Sequence, residues 1–169
     1  MGQWLGNLTG VSRRGNSFYL RPARPGLLRI DILNEDIVRV RASHDGEFRP
    51  AALNKYGFVR EDWPPVKIDV DGINADRGGP EGLALAGEVK EPATAGYRHE
   101  PSGNPLRIGT GRLQVEIEKA PLRLRFLDNE GRVLLEESPN PGIQYAAKGL
   151  RAQFAMGRDE LFYGFGDQT

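Results

Sequence analysis

Apolar and charged residues alternate along most of this chain, so that nearly every second side chain is hydrophobic. The alternation is regular in Leu28–Leu33, and it returns in Ile37–Arg41 after the short polar stretch Asn34–Asp36. A period of two places all apolar side chains on one face of a β-strand, whereas a helix would spread the charges around its whole circumference. The pattern therefore predicts a β-hairpin with one dry face and one charged face.

The second half of the chain repeats this pattern in three consecutive segments. Leu113–Glu118 and Leu122–Phe126 flank Ala120-Pro121, and Arg132–Glu136 follows the turn-forming stretch Asp128–Gly131. Turn residues between alternating segments are typical of antiparallel strands that follow one another in a sheet, so a meander is predicted here. We predict further strands at residues 17–21, 66–70, 83–89, 106–110, 150–156 and 161–165.

The number and spacing of these segments predict the fold class. Many short strands with charged outer faces are typical of an all-β, antiparallel two-sheet β-sandwich. No stretch shows the apolar period of an amphipathic helix. At 169 residues and 18.7 kDa, the chain is long enough for one such domain, which we expect to span residues 1–169.

Amino-acid composition limits which binding partners and which cellular location we expect for this protein. Lys plus Arg and Asp plus Glu number 23 each, so no net field favours nucleic acid or an anionic membrane, and we expect a neutral partner. The chain contains no cysteine, which excludes disulfides and thiolate catalysis. It also has no stretch typical of a secretion signal or a membrane span. We therefore expect a cytoplasmic protein that binds neither nucleic acid nor membrane.

Carboxylates are numerous, but their spacing singles out no catalytic pair. Glu116 and Glu118 share one face of a predicted strand among arginines, which favours a solvated, charged sheet face. Residues 69–76 alternate oxygen-bearing side chains, which suggests a calcium loop, yet isoleucine stands at the third ligand position and no glutamate closes the loop. An ordinary hairpin turn fits this segment better. We predict no bound metal and no cofactor.

The two histidines, His44 and His99, both lie in polar, loop-like stretches. Imidazole titrates near neutral pH, so two histidines with a carboxylate can act as acid and base. Their spacing gives no support to such a pair, and surface histidines without a catalytic role are commoner.

Tyr56, Phe58 and Trp63 form an aromatic group within the loop-like residues 54–65. Aromatic rings pack on the apolar face of a pyranose while polar neighbours bind its hydroxyls, which makes these residues candidates for the rim of a sugar site. The alternative, and the commoner use of such rings, is that they close the open end of the sandwich.

The chain finishes on an aromatic segment spaced by glycines, Phe162-Tyr163-Gly164-Phe165-Gly166-Asp167. Termini are ordinarily loose and polar, and glycines let a strand approach another backbone closely. We expect these six residues to lie at a junction with a further domain that follows Thr169.

This terminal segment resembles glycoside hydrolase family 31, the α-glucosidase family, in which an N-terminal β-sandwich ends in a Tyr-Gly-Leu/Phe-Gly-Glu/Asp strand just before the catalytic barrel. Residues 31–41, 111–117 and 121–131 resemble, in the same order, the early hairpin and the central meander of that domain. Asp167 stands where the family more often has glutamate.

The resemblance implies a supersandwich of the galactose mutarotase-like type within a retaining α-glucosidase that acts on an oligosaccharide or glucoside. It places both catalytic aspartates in a downstream (β/α)₈ barrel, so we expect no catalytic residue in this chain and no activity of the chain alone. The domain would pack on that barrel and shape substrate access. Two alternatives remain open: an independent carbohydrate-binding module and, less favoured, a mutarotase-like enzyme that uses His44 or His99.

Overall fold

A computed structural model describes residues 3–50, 56–58, 63–74, 82–85, 104–139, 142–146 and 149–158. These residues form β-strands and contain no helix, so no helix among them is long and apolar enough to cross a membrane. In chain order, the strands are β1 Gln3–Trp4, β2 Leu8–Arg14, β3 Ser17–Pro22, β4 Leu27–Ile32, β5 Val38–Ser43, β6 Asp69–Asp71, β7 Ile73–Asn74, β8 Gly82–Leu85, β9 Leu106–Gly109, β10 Leu113–Lys119, β11 Leu122–Asp128, β12 Val133–Glu136, β13 Gln144–Ala146 and β14 Gly149–Arg151.

The strands pair antiparallel in two large sheets and one small sheet. The large sheets have the orders β5-β4-β3-β2-β8-β7 and β12-β11-β10-β9-β6, and the small sheet has the order β1-β13-β14. The predicted hairpin is confirmed as β4 and β5, in which Asp31 lies opposite Arg39. The predicted meander is confirmed as β10, β11 and β12.

Inward-facing residues of the two large sheets form one apolar core. Leu28, Ile30 and Ile32 of β4 and Val115 and Ile117 of β10 are almost fully buried and belong to the same cluster. Because side chains alternate between the faces of a strand, the charged residues between them point to the outer face of each sheet. The observed architecture is thus the predicted all-β, antiparallel two-sheet sandwich.

Several predicted strands differ from the structure in their bounds. The predicted strand 66–70 forms at Asp69–Asp71, and the predicted strand 150–156 ends at Arg151, with only an isolated bridge at Phe154 beyond it. Strand β2 was missed because Gly10 and the arginines at its end interrupt the alternation. The predicted strand 161–165 lies outside the described residues.

The predicted hairpin turn in residues 69–76 is wrong. Asp69–Asp71 belongs to the five-stranded sheet and Ile73–Asn74 to the six-stranded sheet, so the chain changes sheets at Gly72. Gly72 has a φ of 82°, and a Cβ atom there would overlap the carbonyl oxygen of Pro105. Only glycine accommodates both the left-handed backbone and this close approach.

The prediction of a solvated face around Glu116 and Glu118 is also wrong. Both residues lie on the outer face of β10 among arginines, yet both are buried. Arg107 Nε donates to Glu116 Oε2 at 3.1 Å, and Arg125 Nη1 donates to Oε1 at 3.0 Å. The arginines of the neighbouring strands therefore cover Glu116, which sequence periodicity alone does not reveal.

Candidate functional site

Asp31 is the centre of a polar cluster on the outer face of the six-stranded sheet. It is 2% exposed and accepts hydrogen bonds from side chains on three adjacent strands. Ser17 Oγ and Arg29 Nε donate to Oδ1 at 2.6 and 2.5 Å, and Arg39 Nε donates to Oδ2 at 3.0 Å. The register explains the cluster, because Ser17 and Arg39 are the direct cross-strand neighbours of Asp31.

The charge of this cluster is set by one carboxylate and two guanidinium groups. Burial alone raises the pKa of Asp31, but the hydrogen bonds from Ser17, Arg29 and Arg39 and the charge of Arg29 hold it below its ordinary value of 3.8. Asp31 is therefore ionised at neutral pH, and the cluster keeps a net positive charge.

A groove of about 490 Å³ joins this cluster to Trp63, and we call it the Trp63 groove. Its volume lies within the range of about 300–1,000 Å³ that is typical of small-molecule sites. The residues that matter for its chemistry are Ser17, Arg29, Asp31 and Arg39 from the sheet and Trp63 and Pro65 from the segment that follows β5.

Arg39 provides hydrogen-bond donors to the Trp63 groove. Its Nε atom is bound to Asp31, whereas its terminal Nη atoms have no partner among the residues that the structure describes. The side chain is 31% exposed. A guanidinium that is anchored at Nε can offer its remaining N–H groups to the oxygens of a ligand.

Aromatic contacts hold the beginning of the segment after β5 against the same sheet face. The ring centroid of Phe48 lies 6.2 Å from that of Tyr19, in an edge-on arrangement. The guanidinium groups of Arg29 and Arg41 lie 5.9 and 5.3 Å from the Phe48 centroid. These contacts hold Phe48 against the sheet face that carries the groove.

Of the three predicted rim residues, only Trp63 belongs to the described lining of the Trp63 groove. Trp63 is partly buried and lines the groove, whereas Tyr56 and Phe58 are 68% and 78% exposed and do not line it. Such exposure does not fit the alternative in which Tyr56 and Phe58 close the end of the sandwich. A role of the three residues at a sugar site stays a prediction.

His44 lies in a second cavity of about 500 Å³, between β5 and the small sheet. Its ring contacts Tyr145 edge-on, with centroids 5.1 Å apart, and Tyr145 Oη donates to the carbonyl oxygen of Ser43 at 2.7 Å. Burial raises the pKa of Tyr145, so its hydroxyl remains protonated at neutral pH. The described lining of this cavity contains no carboxylate that could act with His44, and His99 lies outside the described residues.

Another buried carboxylate, Glu137, lies at the end of the five-stranded sheet. Its Oε1 atom accepts from the Leu124 amide at 3.0 Å, and Oε2 accepts from the Ile143 amide at 2.9 Å. Burial raises the pKa of Glu137, although these two amides and the charge of Arg123 act in the opposite direction. Glu137 thus fastens the segment after β12 to β11, which is a structural role.

The remaining predicted site residues receive no structural support here. Among the described residues, no group of three carboxylate or imidazole side chains could hold a metal ion. The six predicted junction residues lie outside the described residues, so their role stays a prediction: Phe162, Tyr163, Gly164, Phe165, Gly166 and Asp167.

Sequence reasoning missed the polar side of the groove, although a signal was available. Glu35 is the centre of the β4–β5 turn, and Asp31 and Arg39 each lie four positions from it, on opposite sides. Residues equally distant from the centre of a short hairpin turn face each other, so an acid and a base at these positions predict a cross-strand ion pair.

Comparison with known proteins agrees with this architecture. Residues 27–169 match the model of the glycosyl hydrolase 31 N-terminal galactose mutarotase-like domain. Alpha-glucosidase 2 of Bacillus thermoamyloliquefaciens is 27% identical over 167 residues, which cover 98% of this chain and 17% of that protein. The chain therefore spans less than a fifth of the length of this relative.

Two solved structures share the fold. A GH31 dextranase of Flavobacterium johnsoniae, solved in complex with glucose, is 23% identical with a TM-score of 0.62, and the match covers 99% of this chain and 17% of the dextranase. An uncharacterized protein of Listeria monocytogenes EGD-e is 18% identical with a TM-score of 0.59, and the match covers 98% of this chain and 13% of that one. Together with the family model, which matches all but the first 26 residues, the sandwich shows that this chain belongs to the family of glycosyl hydrolase 31 N-terminal galactose mutarotase-like domains.

Proposed function

We propose that this chain is the non-catalytic N-terminal domain of a larger glycoside hydrolase of the α-glucosidase type. In this proposal it packs on a downstream (β/α)₈ catalytic barrel and shapes the access of an oligosaccharide or glucoside. The observation that carries the proposal is the family match over residues 27–169, since that family is an N-terminal domain of glycosyl hydrolases. The similarity to Alpha-glucosidase 2 favours the α-glucosidase type. The absence of cysteine suits a cytoplasmic enzyme.

The proportions of the match support a domain within a larger enzyme. Only 17% of the glucosidase and of the dextranase corresponds to this chain, so most of each protein lies outside the matched region. In the proposal, the catalytic domain lies within that remainder.

Two of the four buried carboxylates among the described residues, Asp31 and Glu137, support a non-catalytic role. A retaining glycosidase needs two facing carboxyl groups about 5–5.5 Å apart. Asp31 is held by Ser17 and two arginines, and Glu137 is held by two backbone amides. Both carboxylates have their oxygens occupied by contacts that stabilise the sandwich.

The Trp63 groove is the part of the described surface best suited to a sugar. Trp63 offers an aromatic side chain, and Arg39 offers N–H groups that can donate hydrogen bonds to a sugar hydroxyl. Tyr56 and Phe58, exposed on the segment that leads to Trp63, extend this rim in the proposal.

The same groove favours a second candidate function, an independent carbohydrate-binding module. An aromatic side chain beside hydrogen-bond donors is sufficient for such a module without any barrel. The two candidates differ in what the chain does alone, because only a module keeps its sugar affinity. The cavity around His44 offers no comparable support for a mutarotase-like enzyme.

Hydrolysis and sugar binding by the same preparations test the proposal. An α-glucoside is offered to the 169-residue chain and to the complete polypeptide that its gene encodes, and the chain is titrated with maltose and isomaltose by calorimetry. We expect hydrolysis by the longer polypeptide only and no measurable sugar affinity of the chain. Affinity of the chain alone that disappears in Trp63→Ala would favour the module, and a coding region that ends at Thr169 would refute the domain proposal.

A further inference from the structure

Strand β12 leaves an apolar edge on the five-stranded sheet. It is the first strand in the order of that sheet and pairs with β11 on one side. Val133, Leu134 and Leu135 are all exposed, and Leu134 is 55% exposed. Three consecutive exposed aliphatic side chains on a sheet edge favour association with another surface.

Two other described edges of the large sheets are protected by charge. Strand β5 alternates Val38 and Val40 with Arg39 and Arg41. Strand β6 places Asp69 and Asp71 on either side of Val70. Charged residues on edge strands are the usual protection against unwanted pairing. The edge at β12 lacks this protection between residues 133 and 135.

The segment after β14 continues this apolar surface. The Ser138 amide donates to the Gln153 carbonyl at 2.9 Å, and the Ala155 amide donates to the Glu136 carbonyl at 2.9 Å. When the antiparallel pairing of residues 136–138 with 153–155 is extended by one residue, Met156 lies opposite Leu135. Met156 is 63% exposed, and Phe154 is exposed as well. We call Val133, Leu134, Leu135, Phe154 and Met156 the apolar edge.

We propose that the apolar edge is the surface on which the rest of the hydrolase polypeptide packs. This inference rests on the proposed function and specifies its contact surface. In proteins where this domain is N-terminal, the remaining polypeptide leaves from the carboxyl-terminal side of the domain. Phe154 and Met156 are the large, exposed apolar residues nearest to that side among those described, and they extend the uncharged part of the β12 edge, residues 133–135.

The chemistry of the apolar edge suits a protein surface better than a sugar. Its five side chains bring neither a hydrogen-bond donor nor a charge, whereas sugar sites need several polar groups that converge on hydroxyls. Burial of aliphatic and aromatic side chains is what stabilises a permanent contact between domains. The matched regions occupy only 17% of the glucosidase and of the dextranase, so ample polypeptide exists in these proteins to supply such a surface.

Hydrogen exchange on the 169-residue chain and on the complete polypeptide of its gene tests this inference. We expect the amides of residues 133–135 and 154–156 to exchange at least about tenfold more slowly in the complete polypeptide, because contact with another domain suppresses local opening. Leu134→Glu and Met156→Glu should each abolish this extra protection. Ile37→Glu is the matched control, since Ile37 is an exposed aliphatic residue in the β4–β5 turn, and it should leave the protection unchanged.

The outcomes separate this inference from the proposed function. A complete polypeptide that hydrolyses glucosides but shows unchanged exchange at the apolar edge would overturn the inference and leave the proposed function intact. Protection that appears in the chain alone and rises with its concentration, together with a dimer in sedimentation velocity, would assign the edge to a second copy of the chain and overturn the inference. A complete polypeptide without hydrolytic activity would count against the proposed function itself.

Discussion

Asp31 Oδ2 accepts a hydrogen bond from Arg39 Nε at 3.0 Å across β4 and β5, and this carboxylate is almost completely buried. Asp31→Asn removes the negative charge between Arg39 and Arg29, which is the only one among the described residues that line the groove. Loss of one partner from a buried ion pair typically destabilises by about 3–5 kcal/mol. Because both arginines are partly exposed, we expect about 3 kcal/mol, measured as a lower urea midpoint of the chain.

An exposed ion pair provides the control for that substitution. Asp36 lies 3.0 Å from Arg112 Nη1, and both side chains are largely solvated. Asp36→Asn should change the free energy of unfolding far less than Asp31→Asn, because solvent screens the exposed pair. Equal losses in the two variants would show that burial does not strengthen the Asp31 cluster.

Asp31 and Glu137 should affect the pH dependence of stability with opposite signs. The pKa of Asp31 in the folded chain lies below its ordinary 3.8, so its contribution is fully present above pH 3.8 and is lost as the pH falls through the folded value. The pKa of Glu137 lies above its ordinary 4.5, so its contribution is fully present below pH 4.5 and is lost as the pH rises through the folded value.

Urea unfolding between about pH 3 and pH 7 would measure this contrast. The stability advantage of the wild type over Asp31→Asn should shrink as the pH falls below 3.8, and its advantage over Glu137→Gln should shrink as the pH rises above 4.5. Parallel pH profiles of the wild type and either variant would contradict the assignment for that residue.

Neighbouring glutamates at the end of β12 separate a buried contact from an exposed one. Glu137→Ala leaves the amides of Leu124 and Ile143 without their acceptor, which should destabilise the chain by about 1–3 kcal/mol or more. Glu136→Ala removes only a partly exposed ion pair with Arg125, at 3.4 Å, and should change stability by less than about 1 kcal/mol. Thermal unfolding followed by circular dichroism would compare the stabilities of the two variants. A larger loss of stability in Glu136→Ala would contradict the structural role that we assign to the amide hydrogen bonds of Glu137.

The fold could be predicted where the information is local. Alternation around Leu28 and Ile30 predicts strands, and a short turn fixes the register that sets Asp31 opposite Arg39. The pairing of β2 with β8 joins residues about seventy positions apart, such as Val11 and Leu83, and no periodicity encodes it. The change of sheet at Gly72 was missed for the same reason, since it depends on the distant backbone of Pro105.

The candidate site was predictable only in part, because its residues come from separate segments. The sequence marks Trp63 as an aromatic candidate, but Arg39, which lines the same groove, precedes it by more than twenty positions. The contacts of Phe48 with Tyr19 and Arg41 hold the beginning of the segment after β5 on the same sheet face, and such contacts are formed only in the folded chain.

Gly142 offers a test of close packing that does not involve backbone strain. Its φ lies outside the left-handed region, but a Cβ atom there would overlap Glu137 Oε2 and crowd Arg123 Nη1. Gly142→Ala should therefore displace the Glu137 carboxylate from its hydrogen bonds and destabilise the chain by about 1–3 kcal/mol. Gly10→Ala is the control, since its Cβ would meet only Arg21 Cβ at an ordinary 3.8 Å, and it should be neutral or slightly stabilising in urea unfolding.

Trp63→Ala tests whether the groove contributes to substrate access in the complete polypeptide. If a sugar ring packs on Trp63, its removal should raise KM for an oligosaccharide roughly three- to tenfold and leave kcat nearly unchanged, because a contact made equally in ground state and transition state affects binding alone. Arg39→Gln, which removes the guanidinium donors, should change KM in the same direction.

Two controls make that result specific to the groove. The urea midpoint of each variant shows whether a higher KM merely reflects unfolding, and a small aryl glucoside that cannot reach beyond the active site should show no change in KM. Unchanged KM for the oligosaccharide, together with a lower urea midpoint, would mean that Trp63 packs the segment after β5 against the sheet and does not contact substrate, so that selectivity arises elsewhere in the enzyme.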